Sequence, residues 1–412
     1  MVINFLPSPL FMARLLLSLR LFRRIIDITV DLIANSSGPY FPSTARKKMK
    51  VTQKLHELGQ SLWLDNITRN QLTSGLLKHA IEEWSITGLN SNPTAFEHAI
   101  KNSTVYDAAI RKKLNKDMLG EELFYELAME DLRHVADLFR PVHDQTDGVD
   151  GWVSLSVSPF IAHYGANILT AAKDLYARAR RINFMITIPG SKENLTVIEE
   201  ATLAGVPINV TLLFSREQYL AAAEALLRGI ERRITAGLRP NVASVASLPI
   251  SHWDAAVNDK MPHALRNQLG IAMAKRIYKA FREFLSSPRW ERVYNAGARP
   301  QRLLWDGTGT KDPKVSDVFY VKDLVAPLTV NTMSEGTLKT FVNHGDLGAL
   351  MPMDGGDCEA VLSRFVQAGI DIDVLAARLQ KKGVASFVKS WIELMMAIAS
   401  KSAALTMKRK VG

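Results

Sequence analysis

Eight short runs rich in β-branched and apolar residues alternate with longer stretches of helical periodicity, and this alternation restricts the fold more than any other feature. The runs lie at residues 61–66, 86–92, 152–158, 183–189, 208–215, 242–249, 302–306 and 329–333. Short strands that alternate with amphipathic helices are typical of a parallel sheet built from βα units. Eight such units are what a closed barrel needs, so the sequence predicts an α/β fold, a (β/α)8 TIM barrel.

Helical spacing in the remaining sequence adds two features to this barrel. Residues 104–143 hold two successive helical patterns, which predict an insertion between the second and third strands. After the eighth strand, extra C-terminal helices are predicted at residues 334–343, 357–367 and 371–401. In the last of these, Trp391 and the pair Met395 and Met396 have the spacing of a buried face.

Composition limits the classes of protein that the chain can belong to. Its 412 residues, 47% apolar and 22% charged, suffice for one large domain. The formal net charge is +10, but the first 50 residues hold eight basic against two acidic side chains and so carry +6 of it. The remainder interleaves Lys with Glu as on solvated helix faces, so no nucleic-acid partner is expected. The single cysteine, Cys358, excludes an internal disulfide and fits a reducing, cytoplasmic location.

Residues 1–48 differ from the rest and are interpreted as a leader or a mis-called start before Met49, unstructured or loosely helical. Arginines interrupt every apolar stretch before it reaches the ~20 residues that a membrane span needs. The arginine-rich amphipathic pattern also resembles a transit peptide or a membrane-surface helix, and the sequence leaves these alternatives open. Residues 49–412 are predicted to form the barrel domain.

Polar residues occur at the predicted carboxyl ends of most strands, which is where barrels of this kind place their reactive groups. They include Asp65, Asn90, Asn92, Ser156, Ser158, Thr187, Asn209, Thr211, Ser247, His252, Asp306, Thr308 and Lys311. A barrel interior tolerates such groups only when they bond to each other or to a ligand. The pattern therefore predicts a polar, hydroxyl-rich ligand.

Two motifs lie at predicted strands: residues 87–97, TGLNSNPTAFE, at the second strand and after it, and residues 208–215, INVTLLFS, on the fifth. Both resemble signatures of the transaldolase family at the same strands. Further similarity brings the resemblance to residues 51–405, and the branch resembled is the longer bacterial type, which is sometimes fused to glucose-6-phosphate isomerase. The resemblance implies carbohydrate metabolism in the pentose phosphate pathway, a phosphorylated sugar substrate and no cofactor.

The resemblance also implies a mechanism. In the family, a lysine on the fourth strand forms a Schiff base with a ketose phosphate, which requires a neutral amine. Carboxylates on the first and third strands relay protons, the latter through a water that a threonine helps to hold. The positions of this chain that match the family's remaining site residues are Asp65 for the first carboxylate, Asn92 and Asn209 for hydroxyl binding, Thr211 for the threonine, and Ser247 on the sixth strand.

Four positions depart from the family pattern. Thr187 stands where the Schiff-base lysine should be, and Ser156 replaces the acid–base glutamate. His252 falls on the family's arginine, and Asp306 opens an altered loop before Lys311, which is matched to a phosphate contact. Threonine cannot form an imine, so the usual transaldolase reaction is expected to be absent, whereas loss of a proton-relay carboxylate typically costs ~10²–10⁴-fold. Histidine is charged only near or below its ordinary pKa of ~6.5, so phosphate binding is expected to weaken at alkaline pH.

Other candidate groups have simpler interpretations. Lys192 is interpreted as a solvated loop charge and Lys311 as a phosphate contact, although both could reach the barrel mouth. The run from Gly307 to Lys311 lacks the spacing of a nucleotide-binding phosphate loop. The histidines show no metal-ligand spacing, so no metal is expected, and site roles for His163 and Asp306 stay open.

Three functions remain. The first is an enzyme that keeps the sugar-phosphate pocket and uses Asp65, with His252, His163 or Asp306, for non-covalent acid/base chemistry. The second is a non-catalytic pseudoenzyme that binds sugar phosphates. The third is a true transaldolase, which transfers a dihydroxyacetone unit, with a displaced lysine. In each case the expected partner is a phosphorylated small molecule, with no nucleic acid and no membrane span, and a homodimer is a candidate assembly.

Overall fold

The computed structural model describes residues 49–161, 165–310 and 315–411. Eight parallel strands form a closed barrel in which each strand pairs with the next and the last pairs with the first. They are β1 (Gln60–Asp65), β2 (Ile86–Asn90), β3 (Trp152–Ser156), β4 (Phe184–Pro189), β5 (Ile208–Thr211), β6 (Ser244–Pro249), β7 (Arg302–Asp306) and β8 (Thr329–Met333). This order confirms the predicted (β/α)8 barrel. The predicted leader lies outside the described residues, as do His163 and Lys311.

Helices connect the strands and continue after the eighth. In chain order they are α1 (Val51–Glu57), α2 (Arg69–Thr73), α3 (Leu76–Trp84), α4 (Pro93–Asn102), α5 (Asp107–Leu114), α6 (Gly120–Gln145), α7 (Gly165–Ala179), α8 (Leu195–Leu203), α9 (Arg216–Thr235), α10 (Ser251–Val257), α11 (Leu269–Leu285), α12 (Pro288–Asn295), α13 (Phe319–Asp323), α14 (Glu335–His344), α15 (Cys358–Gln367) and α16 (Ile372–Val411). The inserted helices α5 and α6 and the C-terminal helices α14, α15 and α16 confirm both predicted additions to the barrel.

Several strands are shorter than predicted because the next element begins early. β2 ends two residues short of Asn92, whose side-chain oxygen already caps α4 by accepting from the amide of Thr94 at 2.9 Å. β5 ends at Thr211 because Leu212 has a positive φ of 61°, which no strand continues. The carboxyl ends of these two strands are therefore sharply defined.

The C-terminal helix α16 packs along the outside of the barrel, on α4, α5 and α6. Its residues 372–407 are long and apolar enough to span a membrane by length and composition. Trp391, Leu394 and Ile398 are nevertheless buried against the core, as expected of a packed helix. Met395 also packs there, but Met396 is 64% exposed, so the predicted burial of the pair is wrong for Met396.

Two hydrogen bonds tie α16 to the end of β3. The indole N–H of Trp391 donates to Glu121 in the first turn of α6 at 2.7 Å. The same carboxylate oxygen accepts from the Ser158 hydroxyl at 2.5 Å, just beyond β3. The inserted helix α6 thus links the C-terminal helix to the carboxyl end of the barrel.

Inward-facing side chains fill the barrel in stacked layers of four, each layer drawn from alternate strands. The members of each layer follow from the strand register, because each strand is shifted along the barrel axis by about one residue relative to the strand before it. In the middle of the barrel, one buried cluster contains Trp63, Trp152, Met185, Val245, Leu304 and Val330. A Cβ at Gly88 would lie 2.5 Å from the Trp63 indole, so only glycine fits at this position of β2. This apolar cluster forms the floor beneath the polar upper layers.

A buried ion pair closes the amino-terminal end of the barrel. Arg302 on β7 donates to Asp150 at 2.9 Å, to the Val149 carbonyl at 2.7 Å and to the Ser61 hydroxyl at 2.7 Å. Ser61 in turn donates to the second Asp150 oxygen at 2.8 Å. Every partner in this group is hydrogen-bonded, which is the condition under which a buried charge pair is tolerated. This hydrogen-bonded group therefore fills the amino-terminal end of the barrel interior between β1 and β7, opposite the polar carboxyl ends of the strands.

Candidate active site

Two polar layers lie above the apolar floor, at the carboxyl ends of the strands. The mouth layer comes from the odd strands and contains Asp65, Ser156, Thr211 and Asp306. The layer below comes from the even strands and contains Asn90, Thr187, Ser247 and Thr332. Six predicted site residues, namely Asp65, Ser156, Thr187, Thr211, Ser247 and Asp306, are thus brought together in two adjacent layers.

Asn209 lies one level deeper and joins a fixed hydrogen-bond network. Its Nδ2 donates to Asn90 Oδ1 at 3.2 Å, and the Ser154 hydroxyl donates to the same oxygen at 2.6 Å. All three side chains come from different strands, β5, β2 and β3. The network fixes the Asn209 rotamer and leaves its Oδ1 without a hydrogen-bond partner among the described residues.

Other buried polar atoms in these layers also lack partners within the described part of the chain. They are Thr187 Oγ1, Ser247 Oγ and Thr332 Oγ1. Ser247 and Thr332 are each 1% exposed and Thr187 is 7% exposed, so bulk water does not readily satisfy them. Each unpaired buried polar group costs about 1–3 kcal/mol. Their convergence on one end of the barrel is the arrangement expected where ligand hydroxyls complete the hydrogen bonding.

The two acidic residues of the mouth layer share an environment that favours protonation. Burial and the nearby negative charge of Asp306 raise the pKa of Asp65 from 3.8 to about 8. Burial also raises the pKa of Asp306, but the Gly307 amide, which donates to Asp306 Oδ1 at 2.6 Å, and the charge of His252 oppose that rise. Near neutral pH, Asp65 therefore keeps its proton more strongly than an ordinary aspartate.

The raised pKa of Asp65 predicts a pH-dependent stability. The folded state binds this proton more tightly than the unfolded chain, so the stabilisation is complete below pH 3.8 and is lost as the pH rises through about 8. We expect Asp65→Asn to unfold at a higher temperature than the native protein at pH 9 and at nearly the same temperature at pH 4. Thermal unfolding at both values measures this, with the exposed Asp259→Asn as control. Equal melting temperatures of Asp65→Asn and native protein at pH 9 would contradict the burial of the charge.

His252 lies in the first turn of α10, directly after β6. Its Nδ1 is 3.5 Å from the position that a Cβ on Gly307 would occupy, so the imidazole lies over the loop that follows Asp306. The helix is held by Asp254, which accepts from the amides of Leu269 and Gly270 at 2.9 and 3.1 Å. His252 is thus placed beside the mouth layer by a buried anchor, although the imidazole itself is solvent-exposed.

Two of the remaining predicted residues lie away from the polar layers. Asn92 lies beyond the end of β2, and the capping bond to Thr94 already uses its side-chain oxygen. The exposed Lys192 lies in a 3₁₀ turn, as expected for a solvated charge. None of the eight strands contains a lysine, and Arg302 at the opposite end is their only basic residue. Lys311 lies outside the described residues.

Sequence reasoning missed three contributors to the site. Ser154 was not selected because it lies in the middle of β3, although serines recur at every second position from Ser154 to Ser158. Thr332 shares the β8 face of Val330 and could have been found by the same two-residue period. Glu121 contacts the end of β3 only through the inserted helix, which no local pattern reveals. Among the described residues, no group of three or more His, Cys, Asp or Glu could hold a metal ion.

The fold and its polar mouth define a (β/α)8 protein with a small-molecule type of site at the carboxyl ends of the strands. A family model described as transaldolase/fructose-6-phosphate aldolase matches residues 62–398. A transaldolase of Thermobifida fusca is 38% identical over 363 residues, which cover 86% of this chain and 99% of that protein. Transaldolase 2 of Nostoc punctiforme is 33% identical and covers 84% and 96%, respectively. The chain therefore belongs to the transaldolase family.

Proposed function

We propose that the chain is a transaldolase-family enzyme that binds a phosphorylated sugar in the polar layers and carries out acid/base chemistry on it without forming an imine. The observation that carries this proposal is the set of unpaired buried polar atoms on Thr187, Asn209 and Ser247. Together with the ordered Asn90 network, these groups suit a ligand with several hydroxyls. A cytoplasmic location is part of the proposal.

The absence of an imine follows from the residue on β4. Thr187 faces the barrel interior, where the resemblance to the family places a lysine, and a hydroxyl cannot condense with a ketone to give an imine. Ser156 in the mouth layer likewise offers no carboxylate for proton transfer. Asp65 and Asp306 are the acidic groups that remain in the polar layers, so they are the candidates for proton transfer.

A phosphate group would bind at the edge of the mouth, where His252 and Lys311 match the family's phosphate-binding region. His252 carries a full charge only when it is protonated, so phosphate affinity is expected to fall as the pH rises past the histidine range. Ligand binding by the sugar hydroxyls is independent of this charge, and it takes place deeper, in the layer of Thr187 and Ser247.

Thermal shift with sugar phosphates tests the binding half of the proposal. A ligand that binds only the folded state stabilises it by RT ln(1 + [L]/Kd), about 2.7 kcal/mol at a hundredfold excess over Kd. We expect fructose 6-phosphate to raise the melting temperature more than fructose or inorganic phosphate. Ser247→Ala should reduce the shift, and Ser363→Ala on the exposed face of α15 should leave it unchanged. No shift with any of a panel of sugar phosphates would overturn the proposed pocket.

A non-catalytic binding protein is the second candidate, and a specific observation favours it. By the resemblance to the family, Ser156 in the mouth layer stands at a proton-relay position and Thr187 in the layer below stands at the lysine position. Proton exchange separates the two candidates. An enzyme that enolises its substrate exchanges carbon-bound hydrogen of fructose 6-phosphate for deuterium in D2O, whereas a protein that only binds gives a thermal shift without exchange.

A further inference from the structure

Asp65 and Asp306 occupy the same layer of the barrel on strands that flank β8. The register pairs Trp305 with Asn331 of β8, so its continuation places Asp306 beside Thr332. Thr332 pairs with Trp63 of β1, and the stagger between strands raises the β1 position in this layer to Asp65. Both side chains therefore point inward at one height. The other two members of the layer, Ser156 and Thr211, are uncharged. The two carboxyl groups are therefore neighbours in this layer, on either side of β8, and the described strands place no cation between them.

The surroundings of the two carboxyl groups are unequal. Asp306 accepts a 2.6 Å hydrogen bond from the Gly307 amide and lies near His252, and both favour its charged form. The pKa of Asp65 is raised first by burial and then by the charge of Asp306. Its neighbours on β2 and β8, Asn90 and Thr332, are neutral. Among the described residues, His252 from α10 is the one other titratable group that acts on the pair.

We propose that Asp65 and Asp306 form a carboxyl pair that holds one proton, with Asp65 protonated and Asp306 ionised, and that this pair replaces the lysine as the chemical centre of the site. Two buried carboxylates at neighbouring positions of one layer resist ionising together, as in other paired aspartates. The catalytic use of the pair rests on the proposed function, whereas the sharing of a proton does not.

The pair can carry out enolisation of a sugar phosphate with no other reactant. Asp306 removes the proton from the carbon next to the carbonyl, and the electron pair of that C–H bond forms the C=C bond of an enediol. Asp65 gives its proton to the carbonyl oxygen. The pair still holds one proton, now on Asp306. If Asp306 returns it to the same carbon and Asp65 takes back the oxygen proton, the starting sugar is restored. If Asp306 gives it to the former carbonyl carbon and Asp65 takes the proton of the other enediol hydroxyl, the isomer forms and the pair again holds one proton. These proton transfers together carry out aldose–ketose isomerisation of a phosphorylated sugar.

Carbon-13 NMR of the full-length protein labelled at the aspartate carboxyl carbons tests the shared proton without any ligand. Asp65→Asn and Asp306→Asn identify the two resonances, and in Asp306→Asn the introduced amide oxygen can still accept the Gly307 hydrogen bond. We expect the titration midpoint of the Asp65 resonance to lie well above the ordinary aspartate pKa of ~3.9. In Asp306→Asn this midpoint should fall by about one pH unit or more. Asp323→Asn removes another half-buried carboxyl, outside the barrel interior, and should leave the Asp65 titration unchanged.

An Asp65 titration that is the same in native protein and in Asp306→Asn would overturn the pair. For the catalytic role, Asp306→Asn is expected to slow deuterium exchange into fructose 6-phosphate by ~10²–10⁴-fold while the sugar-phosphate thermal shift persists. Unchanged exchange in that variant would remove Asp306 from the chemistry. If the NMR titration shows the pair but no sugar phosphate stabilises the protein, the proposed function fails and the shared proton stands.

Discussion

The double variant Thr187→Lys with Ser156→Glu is expected to form an imine with fructose 6-phosphate that borohydride traps. Thr187 points inward from β4 in a layer that is nearly closed to solvent, where burial lowers the pKa of an amine. The introduced glutamate would stand in the mouth layer beside Asp65 and supply the proton relay. Intact-mass measurement after reduction should show the sugar phosphate added to most of the variant protein. The single variant Thr187→Lys should be trapped more slowly.

A lysine on a solvent-exposed helix serves as the matched control. Thr235→Lys at the end of α9 adds the same amine outside the barrel, and we expect no trapped adduct with it. Lysine is larger than threonine and can cost about 1–3 kcal/mol by overpacking, so the melting temperature of each variant is measured alongside. A folded double variant that traps no sugar phosphate would show that the rest of the site does not have the family's geometry.

Arg302→Met is expected to reduce the free energy of unfolding by about 3–5 kcal/mol. The substitution leaves the Asp150 carboxylate, 3% exposed, without its cation at the closed end of the barrel. It also removes the donors to Ser61 and to the Val149 carbonyl. Urea unfolding of the native protein and the variant measures the difference.

An exposed ion pair nearby gives the control for this prediction. Arg299 donates to Asp147 at 2.6 Å, but Asp147 is 98% exposed in its side chain. Such surface pairs contribute about 0–1 kcal/mol, so Arg299→Met should change stability little. A loss of under about 1 kcal/mol in Arg302→Met would mean that Asp150 finds another partner or is reached by water, and the ion pair would not be what closes that end.

The sequence predicted the barrel because alternating strands and helices are a local signal that repeats eight times. The strand ends were overestimated where capping or backbone conformation intervenes, as at Asn92 and Leu212. These features depend on one side-chain oxygen or one φ angle, and the run of apolar residues continues past them. The burial of Met395 was predicted correctly and that of Met396 was not, because adjacent helical residues lie on different faces.

The sequence could predict which residues belong to the candidate site better than how those residues are arranged. Asp65, Thr187, Ser247 and Asp306 could be chosen from the sequence because each lies on the inward face at or near the carboxyl end of its strand. Their division into two layers depends on the stagger between strands, which no single strand specifies. The network of Asn90, Ser154 and Asn209 joins residues up to 119 positions apart, so it could not be read from local spacing. The role of each residue in chemistry stays a prediction.

Borohydride reduction of the native protein in the presence of fructose 6-phosphate tests most directly whether this site works without an imine. The sugar phosphate is used at a concentration that raises the melting temperature, so that the pocket is occupied. We predict that the intact mass of the native protein does not change, while the Thr187→Lys, Ser156→Glu variant gains the mass of the reduced sugar phosphate. A mass increase of the native protein that maps to any lysine, Lys311 included, would contradict the proposal and restore a true transaldolase with a displaced nucleophile.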